Sequence, residues 1–226
     1  MSDDTSLPHA ARSIATRIAH AGRGEPSPFV NPPVIHASTV LFDSVAQMKG
    51  KAEKKARWTY GRRGTPTSDA FEQAITELEG AVGTVVTPSG ASACAVTLLS
   101  LLSAGDHLLM IDTAYGPTRI VCDGILKRMG VETTYFDPLI GGGIDALVRP
   151  NTRLIYLEAP GSLTFEMPDV PAIVAVAKAR GVLTAIDNTW ATPVFFRPIE
   201  IGVDVSIMAA TKYVVGHSDA LVGTIA

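Results

Sequence analysis

Cysteine is scarce in this chain: Cys94 and Cys122 are the only two in 226 residues. Both lie in apolar segments of helical pattern, which argues against a disulfide framework and points to a reducing, cytoplasmic setting. No apolar run approaches the roughly 20 residues that cross a bilayer, so no membrane partner is expected. The start, Met1-Ser2-Asp3-Asp4, is polar and acidic and lacks the layout of a signal peptide. Excess positive charge is also missing. The net charge of -3 argues against nucleic acid as a partner, and the basic residues at 49–63 carry no pattern of stacking aromatics. The five histidines, His9, His20, His36, His107 and His217, are scattered. None has ligand spacing with another histidine or a cysteine, so no metal site is expected.

What is present is the material of a globular protein. Apolar residues make up 46% and charged residues 18%, and the length suffices for one large core or two modest domains. Residues 1–60 read as an arm and oligomerisation segment. A helical pattern over 10–21 spaces Ile14 and Ile18 four apart. Gly22, Gly24, Pro26, Pro28, Pro32 and Pro33 then preclude regular structure. A further helix over 44–56 would carry Lys49, Lys51, Lys54 and Lys55 on a solvated face. Residues 61–226 read as an α/β domain. Strands are expected at 84–86, 107–111, 132–136, 152–157, 183–186 and 203–208, and helices at 67–79, 91–102, 117–129 and 170–180. This alternation implies a mostly parallel sheet flanked by helices, with ligands beyond the carboxyl ends of the strands. The run Leu221-Val222-Gly223-Thr224-Ile225-Ala226 reads as one more strand, without a turn, cap or partner after it. An unsupported terminal strand is a liability, so the chain is expected to be an N-terminal part of something longer.

The chemistry centres on Lys212, within Ala209-Ala210-Thr211-Lys212-Tyr213-Val214-Val215-Gly216-His217-Ser218-Asp219. Upstream, Asp187 closes the apolar run Val182-Leu183-Thr184-Ala185-Ile186. A lysine after a threonine, paired with a strand-end aspartate, points to pyridoxal phosphate (PLP). The lysine would form a Schiff base and the carboxylate would hold the pyridinium nitrogen. A solvated lysine and a turn-capping aspartate are the plainer alternatives. Thr87-Pro88-Ser89-Gly90-Ala91-Ser92 stands between a strand and a helix, where small residues let N–H groups approach a phosphate. An ordinary turn capped by Ser89 fits the same residues. Tyr115, after the next strand, offers a ring to stack on a pyridine, or simply begins a helix as part of Tyr115-Gly116-Pro117-Thr118. In Trp58-Thr59-Tyr60-Gly61-Arg62-Arg63, Arg62 suits a phosphate. Tyr60, beside two arginines, suits a base. A basic surface loop is the alternative there.

Taken together, these motifs resemble the Cys/Met-metabolism family of PLP enzymes, in the aminotransferase-like fold of type I. The likeness runs from Ala21 to Ala226. Within the family, Glu158-Ala159-Pro160-Gly161-Ser162 resembles the bacterial β-lyases, whereas γ-acting members usually carry Asn and Pro at the positions of Ser162 and Leu163. The resemblance implies a carbon–sulfur lyase that performs β-elimination on L-cystathionine, giving homocysteine, pyruvate and ammonia for methionine biosynthesis. γ-Elimination or γ-replacement is the alternative within the family. A catalytically incompetent folding or assembly unit is the alternative outside it. By resemblance, Lys212 holds the cofactor covalently and Asp187 pairs with its ring nitrogen. Gly90, Ala91 and Thr211 hold its phosphate, although Ala209 stands where many relatives have serine. Tyr115 stacks on the ring. Tyr60 and Arg62 reach the cofactor of a neighbouring subunit, within a tetramer built as a dimer of dimers. A C-terminal domain supplying the substrate-carboxylate arginine is expected beyond Ala226.

Overall fold

The computed structural model describes residues 12–23 and 28–226. The acidic start at 1–4, His9, Gly24, Pro26 and the first two positions of the helix expected over 10–21 lie outside these residues. The rest of that helix is α1 (Ile14–His20), begun by Ser13, whose hydroxyl accepts the Thr16 N–H at 3.2 Å. The chain forms two compact units, Met1–Ile75 and Thr76–Ala226.

In the first unit the lysine-bearing helix expected over 44–56 is not formed. Only α2 (Val45–Met48) is helical, capped by Ser44. Gly50 follows in the left-handed region at φ 66°, where a right-handed helix cannot continue. Lys49, Lys51, Lys54 and Lys55 are exposed, in irregular chain after the helix. Further on, Thr39 and Tyr60 form an antiparallel bridge. A Cβ on Gly61 would lie 1.8 Å from the Ala37 carbonyl oxygen, so only glycine allows this close approach. Trp58 Nε1 donates to Asp69 at 2.7 Å, on α3 (Pro66–Glu79).

The second unit is built on a seven-stranded sheet. Its strands are β1 (Val85–Thr87), β2 (His107–Ile111), β3 (Glu132–Phe136), β4 (Thr152–Glu158), β5 (Leu183–Asp187), β6 (Val205–Met208) and β7 (Gly223–Ile225). They lie in the order β1-β7-β6-β5-β4-β2-β3. All are parallel except β7, which runs antiparallel to both β1 and β6. The terminal strand expected to be unsupported is therefore an inner one. Its partners are distant in sequence, which is why no local pattern announces them. The helices are α4 (Gly90–Leu101), α5 (Gly116–Val121), α6 (Val170–Arg180) and α7 (Thr192–Phe195), and α5 passes into a π turn at Cys122–Leu126. Strand β6 begins two residues later than expected. Asp204 spends its carboxylate on the Thr184 N–H and hydroxyl, both at 2.8 Å, so it caps β5 rather than extending the ladder.

Every residue of β2 is buried, as are Leu154, Ile155, Tyr156 and Leu157 of β4. Strands buried on both faces need a layer on each side, the usual state of a parallel sheet. At the amino foot of β2, His107 is fully buried. Its ring nitrogens bond Thr152 and Thr134, each at 2.8 Å, so it ties β4, β2 and β3 together. Burial lowers its pKa and keeps it neutral.

Candidate active site

At the other end of the sheet, the loops after β1, β2, β4, β5 and β6 enclose a cleft of about 900 Å³. Ser89, Gly90 and Ala91 line it after β1, and Tyr115 after β2. Glu158 and Ser162 come from β4 and its loop, Asp187 and Trp190 from β5 and beyond, and Thr211 and Lys212 from the turn after β6. Six residues singled out in the sequence thus meet here: Gly90, Ala91, Tyr115, Asp187, Thr211 and Lys212.

One wall is the start of α4. Ser89 caps it by accepting the Ser92 N–H at 3.1 Å, and the Ser92 hydroxyl accepts the Ser89 N–H at 2.9 Å. The N–H groups of Gly90 and Ala91 have no acceptor one turn earlier, as at the start of any helix, so they and the helix dipole face the cleft as an anion site. Gly90 is required by packing. A Cβ there would lie 2.3 Å from the Ala209 Cβ. Its absence lets α4 abut the turn that carries Lys212.

The floor is acidic. Asp187 ends β5, 8% exposed, with no salt bridge to a cation among the described residues. One oxygen accepts the Thr189 N–H at 3.0 Å and the other the Cys94 thiol at 3.7 Å. Burial raises its pKa, with the Thr189 and Cys94 bonds opposing. Burial and the adjacent Asp187 charge push the Cys94 thiol up to about 12, so it stays a donor. Glu158, directly opposite Asp187 in the β4–β5 register, is pushed up to about 8, first by burial and then by Asp187. Its Oε2 accepts the Tyr115 N–H at 2.7 Å.

Lys212 is exposed to the cleft, and its Nζ has no bonded partner among the described residues. Its backbone is fixed, since its N–H donates to Ala209 and its carbonyl accepts from Gly216. Thr211 lines the same wall, but its hydroxyl donates to the Val222 carbonyl at 3.1 Å and accepts the Val222 N–H at 2.8 Å. Tyr60 and Arg62 belong to the first unit, where the guanidinium carbon stands 6.0 Å from the tyrosine ring centre. Sequence reading placed Glu158 in the Glu-Ala-Pro-Gly-Ser string but gave it no role at the site, and it gave none to Cys94. A carboxylate closing the apolar run of β4, beside another closing β5, was the available signal for Glu158. Cys94 gave none, because on an apolar helix it reads as core. The rim was missed as well: Phe165 and Trp190 meet edge to face with centroids 5.2 Å apart.

The sequence profile of the Cys/Met metabolism PLP-dependent enzymes matches residues 15–226. A protein of Rhizobium johnstonii named putative cystathionine beta-lyase is 53% identical over 227 residues, spanning 100% of this chain and 56% of that protein. The cystathionine beta-lyase MetC of Escherichia coli is 46% identical, over 95% of this chain and 56% of its own length. Among solved structures, cystathionine gamma-lyase from Lactobacillus plantarum, complexed with L-serine, superposes with a TM-score of 0.86 at 32% identity, covering 94% of this chain and 54% of that one. The chain spans about half the length of the curated relatives it matches. It belongs to the Cys/Met metabolism family of PLP-dependent enzymes.

The cleft fits that family's cofactor. An aldehyde needs an unengaged amine, which Lys212 offers. A phosphate needs N–H groups without intrahelical acceptors, and the start of α4, which lines the cleft at Gly90 and Ala91, supplies them. A protonated ring nitrogen needs a buried carboxylate lacking a cation, which describes Asp187.

Proposed function

We propose that this member of the family is the cofactor-binding part of a carbon–sulfur lyase acting on L-cystathionine by β-elimination. The observation that carries the reading is the meeting of Lys212, Asp187 and the α4 start in one cleft. The names of the R. johnstonii and E. coli relatives support the choice of substrate, as does Ser162-Leu163 in place of the Asn-Pro of γ-acting members.

When bound, PLP supplies an aldehyde that captures amines and a ring that draws electrons from the carbon it holds. The protein supplies the rest. Lys212 would anchor the aldehyde and, with its amine free, would serve as the base for the Cα proton. The same ammonium is then placed to protonate the departing thiolate. Gly90 and Ala91 N–H groups hold the phosphate. Asp187 keeps the ring nitrogen protonated by a charge interaction in a water-poor site. Tyr115, which lines the cleft, would stack on the ring. The Cβ–S bond breaks, homocysteine departs, and water converts the remaining three carbons and the amine to pyruvate and ammonia. In the same reading, Tyr60 and Arg62 reach a neighbouring subunit's cofactor, within a homotetramer in the cytoplasm. No described helix is long and apolar enough to cross a membrane.

A γ-elimination reading is favoured by one observation, the close superposition on an enzyme named a gamma-lyase. Product analysis separates the two. The intact protein supplied with L-cystathionine should release pyruvate and homocysteine. Release of 2-oxobutanoate and cysteine would replace the β-elimination reading with the γ one.

A further inference from the structure

We propose that Glu158 is a positioning residue for the cofactor, holding Tyr115 over the ring by accepting its backbone N–H. The inference rests on the cofactor reading above. Three observations carry it. Glu158 and Asp187 are direct partners across β4 and β5, so both carboxyls open on the same cleft floor. Glu158 Oε2 takes the Tyr115 N–H at 2.7 Å, fixing the residue that starts α5. Tyr115 is 46% exposed and lines the cleft; its carbonyl accepts the Thr118 and Arg119 N–H groups, and Glu158 takes its own N–H, which points the other way along the chain.

Two carboxylates side by side in a water-poor floor do not both ionise readily. Asp187 accepts the Thr189 N–H and the Cys94 thiol, bonds that favour its charged form. Burial raises both carboxyls, Glu158 to about 8 with the Tyr115 N–H and the Ser162 side chain opposing. The titratable groups facing Glu158 are Asp187 from β5, Cys94 from α4 and Tyr156 from its own strand, and Lys212 lines the same cleft. Cys94 and Tyr156 are both raised by burial and so stay neutral.

The test is PLP affinity, read by absorbance titration of wild type, Glu158→Gln, Glu158→Ala, Tyr115→Ala and the double variant Glu158→Ala/Tyr115→Ala at pH 7. Gln keeps an acceptor and should bind within about twofold of wild type. Ala, which removes the acceptor of the Tyr115 N–H, should bind about tenfold more weakly, the scale of one lost hydrogen bond. In the Tyr115→Ala background the Glu158→Ala loss should nearly vanish, because the ring through which it acts is gone. A loss of tenfold in Glu158→Gln, wild-type affinity in Glu158→Ala, or an undiminished loss in the double variant would each overturn the proposal. Should Glu158→Ala not fold, the Glu158→Gln result decides. Failure of wild type itself to bind PLP would instead sink the cofactor reading.

Discussion

The two ends of the parallel sheet treat buried polar groups in opposite ways. At the amino foot, His107 is fully buried and both ring nitrogens are bonded, one to Thr152 and one to Thr134. At the carboxyl end, Asp187 is nearly as buried, yet its partners among the described residues are Thr189, a distant thiol and, across the strand register, another carboxyl. Lys212 nearby has no partner among the described residues. A polar group buried for architecture has its bonds closed within the fold. One buried for chemistry is left open toward the cleft at a cost in stability, because a charge without a partner there is poorly solvated. The difference distinguishes scaffold from site without reference to conservation.

The largest expected effect is at the open end. In the intact protein, Asp187→Asn should lower turnover by roughly a thousandfold, since Asn cannot hold a charged ring nitrogen, about 4 kcal/mol of lost stabilisation. The same substitution should raise the melting temperature of the ligand-free chain. Burial raises the Asp187 pKa above its unfolded value. Its ionisation therefore opposes folding at neutral pH, and this cost disappears as pH falls below the usual carboxylate range. Asn removes it, so the gain should be seen at pH 8 and be absent at pH 3. A fall in melting temperature at pH 8 would mean that Asp187 is a closed, structural group.

Glu79 tests whether burial alone creates such a cost. It is 1% exposed and pushed up to about 7 by burial, with Ser206 and Arg197 only partly offsetting. The folded state thus binds a proton more tightly than the unfolded chain, and stability is lost as pH rises from the ordinary carboxylate range through 7. Glu79→Gln should stabilise at pH 8 by up to roughly 3 kcal/mol and be neutral near pH 4, as read by urea denaturation. Cofactor binding should not change, because Glu79 does not line the cleft. At the closed end, His107→Leu should destabilise by about 2 kcal/mol through the hydroxyls it leaves behind. PLP affinity should again be unaltered, and a loss above tenfold would erase the distinction between the two ends.

Much of the second unit was legible because its local signals agree. The expected and observed bounds of β2, β3 and α6 coincide, each element having an apolar pattern and, for α6, a capping Asp169 and a left-handed Gly181 at its ends. The cleft was legible because strand ends and the Ala-Thr-Lys string occupy successive positions along one sheet edge. Apart from Gly50, whose left-handed backbone is a local effect, what escaped depended on partners far along the chain. Gly50 ends the lysine-rich segment in a way composition does not reveal. The interior position of β7 is set by β1 and β6. Glu158 acquires its surroundings only from Asp187 and Tyr115, on other elements.

All of this turns on Lys212 being the open amine of the cleft. The chain should be incubated with PLP, reduced with borohydride, digested and mapped by mass spectrometry. The pyridoxyl group should lie on Lys212, and Lys212→Ala should lose both the label and the visible absorbance. A label on another lysine, or none on the wild-type chain, would contradict the assignment.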